Sequence, residues 1–162
     1  MTLRILTLLA IPLLIGACAT APKLETAGVD SSLKPDLDPK TLDLSTDRRI
    51  HWGGVIIASR NLEQESQIEV LGYPLDGSGR PNTDSAPLGR FLATQKGYLE
   101  TLDFSPGKSV SFVGKLQSSR TGKIGDSEYR YPTLLIEQSA VWDSRNYTRP
   151  QFHFGIGIGI HN

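Results

Sequence analysis

The chain has one cysteine, one methionine, three histidines and no excess of either charge, with Lys+Arg and Asp+Glu both totalling 17. A lone thiol closes no internal disulfide, so the fold must rest on its hydrophobic core. Balanced charge argues against a nucleic-acid binder, which carries a basic excess to neutralise phosphates. The one long apolar run, Ile5 to Ile15, has eleven residues and is broken by Pro12. A bilayer span needs about 20. His51, His153 and His161 show no helical ligand spacing and have no second cysteine beside them, which argues against a zinc site. At 162 residues the chain is sized for one domain, long enough to bury roughly two-thirds of its unfolded surface.

What is present begins with the leader. Arg4 precedes the apolar run, and Ile15-Gly16-Ala17-Cys18 closes it. A short positive region, an apolar stretch and small residues before a cleavage point are the parts of an export signal. The only cysteine of the chain stands immediately after those small residues. This resembles the lipobox of bacterial lipoproteins, with glycine at the second position before the cut as an accepted variant. The resemblance implies cleavage before Cys18 and a diacylglycerol plus N-acyl lipid on that residue, with no other cofactor. A single acyl chain binds membranes reversibly, whereas several hold firmly. Ala19 follows, where aspartate would retain such proteins in the inner membrane, so the outer membrane is expected, with the domain facing the periplasm.

Residues 18–47 read as a lipidated, flexible tether after a signal peptide of residues 1–17. Pro22, Pro35 and Pro39 stand among Asp and Ser, with no aromatic residue, a composition that buries too little apolar surface to offset its ordering entropy. Residues 48–146 read as β. Ile50 to Ala58 is rich in branched residues around Gly53-Gly54, and Ser66 to Tyr73 alternates with Ile68, Val70 and Gly72 on one face. Gly89 to Thr94 and Lys108 to Leu116 follow, the latter with Val110, Phe112, Gly114 and Leu116 inward. Tyr98 to Phe104 reads as a short helix or an irregular crossover. Ser118 to Asp126 reads as a polar loop, and Tyr129 to Trp142 as a strand entered through Pro132. Five or six short strands with glycine kinks predict an all-β, OB-fold-like barrel, with a β-sandwich as the alternative. Residues 147–162 form a Gly/Ile-rich tail whose alternation suits addition to a sheet edge, in self-association or with an envelope protein.

The ordered set Trp52-Gly53-Gly54, Tyr73-Pro74-Leu75-Asp76, Gly89-Arg90-Phe91, Gly97-Tyr98-Leu99 and Tyr129-Arg130-Tyr131-Pro132, with Trp142 after it, resembles the Slp family of outer-membrane lipoproteins. The resemblance implies a non-enzymatic protein with a structural or binding role in envelope, starvation or stationary-phase stress. It supplies no catalytic residues.

Tests for chemistry agree. Gly107-Lys108-Ser109 has Leu102 where a phosphate loop needs glycine, and Gly77-Ser78-Gly79 lacks the spacing of a nucleophile elbow. Glu63, Glu65 and Glu69 read as solvated faces. Trp52, Arg90, Tyr98, Tyr129 and Tyr131 are the candidate binding residues of the barrel, since aromatic faces of such barrels stack ligands; core packing is the competing use for Trp52. The second functional expectation is a periplasmic module for an oligosaccharide or a lipid headgroup.

Overall fold

A computed structural model describes residues 23–36 and 48–142. Cys18, the leader and the Gly/Ile-rich tail lie outside the described residues.

Alternation of apolar and polar side chains makes five strands, because period-two patterning lets one face pack while the other meets water. They are β1 (Arg49–Asn61), β2 (Glu65–Tyr73), β3 (Arg90–Lys96), β4 (Ser109–Ile124) and β5 (Ser127–Trp142). The sheet closes in the order β1-β2-β3-β5-β4. All pairings are antiparallel except β3 with β5, which seals the barrel through Leu92–Thr133, Ala93–Leu134 and Thr94–Leu135. This is the five-stranded OB-type barrel expected from the sequence.

Two glycines permit the curvature. β1 pairs with β4 over Arg49–Val55 and with β2 over Gly53–Asn61, so it serves two neighbours and coils between them. At Gly54 an added Cβ would lie 1.9 Å from the Leu71 carbonyl oxygen; at Gly114 it would lie 2.0 Å from that of Leu135. Register shifts at Ile56/Ala58 and Val113/Gly114 mark the adjoining bulges, the usual device for bending a sheet.

Ile50, Trp52, Ile68, Val70, Phe91, Val110, Phe112 and Leu134 fill the interior. Trp52 meets Phe91 edge to face at 5.4 Å. The connection between β3 and β4 is the irregular alternative, built of turns, and it inserts Phe104 to stack on Phe112 at 6.3 Å.

The structure corrects two expectations. The polar stretch Ser118–Asp126 is mostly strand: β4 runs to Ile124, and the turn to Ser127 is only Gly125-Asp126, with Gly125 at φ 61°. This end of the hairpin projects beyond the barrel, so little of it is buried and its pairing leaves no hydrophobic alternation to read. Pro132 therefore lies inside β5. It faces the register shift between Gln117 and Arg120, where the missing N–H costs no ladder bond.

The second correction concerns the tether. Residues 23–36 lie along the barrel as a strap. The Trp52 indole donates to the Leu33 carbonyl at 2.9 Å, Asp30 N–H to the Arg49 carbonyl, Arg49 to the Ala27 carbonyl, and Glu25 N–H to Gln138. Leu33 and Pro35 are buried. Pro35 fills the space over Gly72, where a Cβ would sit 3.1 Å from its ring. Composition averages over a segment, whereas docking needs only one or two side chains that meet a formed hollow.

Candidate functional site

Along β2 the inward positions Ser66, Ile68 and Val70 are buried, so Glu65, Gln67 and Glu69 point outward. The projecting hairpin of β4 and β5 folds over this face. Arg120 reaches Glu65 through two hydrogen bonds, one at 3.0 Å. This fork-to-fork geometry suits guanidinium and carboxylate. It holds the Glu65 carboxyl below its ordinary range, with Arg120 as the main cause. Glu69 accepts from Arg90 at 2.7 Å and from the Tyr131 hydroxyl at 3.2 Å. Burial, reinforced by the Glu69 charge, raises the Tyr131 phenol. Tyr129 stacks edge to face on Tyr131 at 4.7 Å, and its hydroxyl accepts from Arg90 N–H at 3.1 Å.

Between hairpin and sheet lies a cleft of about 390 Å³, lined by Arg60, Gln67, Glu69, Arg120, Lys123 and Tyr131 among others. That volume is within the range of small-molecule sites. Its lining carries three cations and one carboxylate, and the carboxylate is already shared by Arg90 and Tyr131. Arg60 and Lys123 form no ion pair with a described residue. Such a cleft attracts anions and offers an aromatic edge beside them.

Of the candidate residues, Tyr131 lines this cleft; Arg90 joins it on Glu69, and Tyr129 stands behind, stacked on Tyr131 and bonded to the Arg90 backbone. Tyr98 does not: it stands 70% exposed on the β3–β4 connection, its hydroxyl 3.4 Å from Glu100. Trp52 is 2% exposed and takes the core alternative. Glu65 and Glu69, expected on solvated faces, are half covered by the hairpin. Arg60, Gln67, Arg120 and Lys123 were absent from the sequence reading. The polar outer positions of β2 were the only available signal, since Arg120 and Lys123 lie in a stretch without periodicity.

A second hollow, about 690 Å³, opens between the strap and the β2–β3 connection. Asp76 organises that connection by accepting from Ser78 N–H, Ser78 hydroxyl and Arg80 N–H. Ser111 donates to the Gly79 carbonyl and accepts from the Trp142 indole. His51 lies beneath Gly79, its Nε2 buried without a hydrogen-bond partner among the described residues. Burial lowers its pKa from the ordinary 6.5.

The sign follows from linkage: the unfolded imidazole takes its proton first, so folding stability is complete above the ordinary value and falls as pH drops toward the lowered folded value. Urea unfolding at about pH 7.5 and about pH 5.5 should show a lower midpoint at the acidic pH. His51→Leu should reduce that difference, and an unchanged difference would refute the assignment.

Residues 15–157 match the outer membrane lipoprotein Slp family. The chain belongs to this family. Its relatives include the uncharacterized lipoprotein YeaY of Escherichia coli K12, 28% identical over 134 residues, covering 80% of this chain and 67% of the relative. Outer membrane protein Slp of the same organism is 23% identical over 159 residues, covering 93% and 82%. Among solved structures, the mitochondrial single-stranded DNA binding protein Rim1 of S. cerevisiae has a TM-score of 0.39 at 12% identity, over 59% of this chain and 95% of that one. These values are too low to bear on ligands.

Proposed function

We propose that this Slp-family chain is a non-enzymatic binding module, lipid-anchored through Cys18 to the outer membrane and facing the periplasm, with its role in envelope maintenance under starvation or stationary-phase stress. The ligand we assign is a small anionic group, the chemistry shared by an acidic oligosaccharide and a phospholipid headgroup. One observation carries the reading: the hairpin-roofed cleft sets Arg60 and Lys123, which form no ion pair with a described residue, beside Tyr131. The nearby carboxylates support binding over catalysis, because Glu65 and Glu69 are both held in ion pairs. The membership of the chain in an outer membrane lipoprotein family supports the anchor and its address.

Two measurements test this. Radiolabelled palmitate should enter the wild-type protein and not Cys18→Ser; equal labelling defeats the anchor. Calorimetric titration with glycerol phosphate and with glucuronate-bearing oligosaccharides should give binding in one arm. Each charge-assisted contact contributes about 1.5–3 kcal/mol, so Arg60→Glu with Lys123→Glu should weaken it about tenfold or more. No heat in either arm defeats the ligand assignment.

A further inference from the structure

The hollow beside the strap is a separate feature from the cleft, and its position is fixed by covalent geometry. Lys23 lies on its rim and is five residues after Cys18. Five residues reach at most about 18 Å when fully extended. The strap contacts from Glu25 to Leu33 hold that end of the chain on the barrel. A lipidated Cys18 therefore cannot stand far from this hollow, whatever path the intervening residues take.

The lining suits a lipid surface. Leu24, Tyr73, Leu75 and Leu88 contribute half-buried ring and aliphatic surface, Trp52 and Trp142 lie buried beneath it, and Lys23 and Lys34 stand beside them. Both lysines are exposed and form no ion pair with a described residue. Asp76 is the one carboxylate of the lining, and its turn consumes it through three hydrogen bonds. Apolar and aromatic surface with lysines around it is the pattern that seats a protein at a bilayer interface, and lysines near the surface favour anionic headgroups.

We infer that the strap hollow rests on the bilayer that holds Cys18, with Lys23 and Lys34 on anionic phospholipid headgroups. This rests on the lipid anchor proposed above. The barrel then lies against the membrane instead of standing off on a long tether.

The two tryptophans of the chain both lie buried at the floor of the hollow, so a quencher seated over it comes within short range of both indoles. The full-length lipidated protein is reconstituted into vesicles of phosphatidylethanolamine and phosphatidylglycerol, with plain or brominated acyl chains. Bromine quenches indoles at short range. Flotation with the vesicles and a loss of emission in the brominated set are expected. The Lys23→Glu, Lys34→Glu double variant should still float and should recover most of that emission. An unchanged unfolding midpoint for the variant confirms that it folds. A wild-type protein that floats with no loss of emission, or a variant quenched as fully as wild type, overturns the docking while sparing the anchor. A protein that fails to float overturns both.

Discussion

Gly54→Ala and Gly114→Ala should each prevent the barrel from closing. The added methyl would stand 1.9 Å from a carbonyl oxygen of β2 in the first case and 2.0 Å from one of β5 in the second. Neither obstacle is the free end of a side chain; relief requires two hydrogen-bonded strands to part. Overpacking in a well-filled interior costs about 1–3 kcal/mol and sometimes more, and here the clash is with backbone, so the upper end or beyond is expected. Against a total stability of about 5–15 kcal/mol, either change should lower the denaturation midpoint sharply, and both together should leave no cooperative transition. Gly77→Ala is the control, because nothing lies within 4 Å of its Cβ position. Circular dichroism during urea unfolding reads all three. A Gly114→Ala protein as stable as wild type would show that the barrel does not coil there.

Trp52→Ala should produce the second large loss. The indole is nearly fully buried, meets Phe91 edge to face and holds the strap through the Leu33 carbonyl. Truncating a buried Trp costs about 3–5 kcal/mol. Trp52→Phe separates the two roles, keeping much of the packing while removing the donor. The lost hydrogen bond should cost about 1 kcal/mol, and the loss should be local. Asp30 N–H bonds the Arg49 carbonyl across the strap, so its amide should exchange faster in Trp52→Phe while β4 amides remain protected. Uniform acceleration would mean that strap and barrel open as one unit.

These predictions show which parts of the molecule could be read in advance. β2 was legible because Ser66, Ile68, Val70 and Gly72 all face inward without interruption. In β4 the buried Val110, Phe112 and Leu116 were legible although Ser111 and Val113 are buried as well, and Gly53-Gly54 announced the coil of β1. The outer half of the hairpin was not, since it is paired but barely buried, and burial is what writes alternation into a sequence. The strap was missed because Leu33 and Pro35 are single contacts in a polar stretch. At and beside the cleft, Arg90, Tyr129 and Tyr131 were found by residue type. Glu69, the shared partner of Arg90 and Tyr131, was read as a surface charge, because what covers it arrives from 62 residues further along the chain. Arg120 was overlooked likewise, and its link to Glu65 spans 55 residues.

The divided loyalty of β1 has a consequence for how the chain acquires its shape. Its later half meets β2 across a three-residue turn, with Asn61 opposite Ser66, so that hairpin forms as soon as both segments exist. Its earlier half must wait for β4, where Arg49 finds Lys115. Until then a row of amide and carbonyl groups stands bare, a template for stray pairing with other chains. Assembly of this kind, governed by distant partners, belongs to the slow millisecond-to-second regime. A chain emerging from its amino end would carry that open edge until β4 follows it.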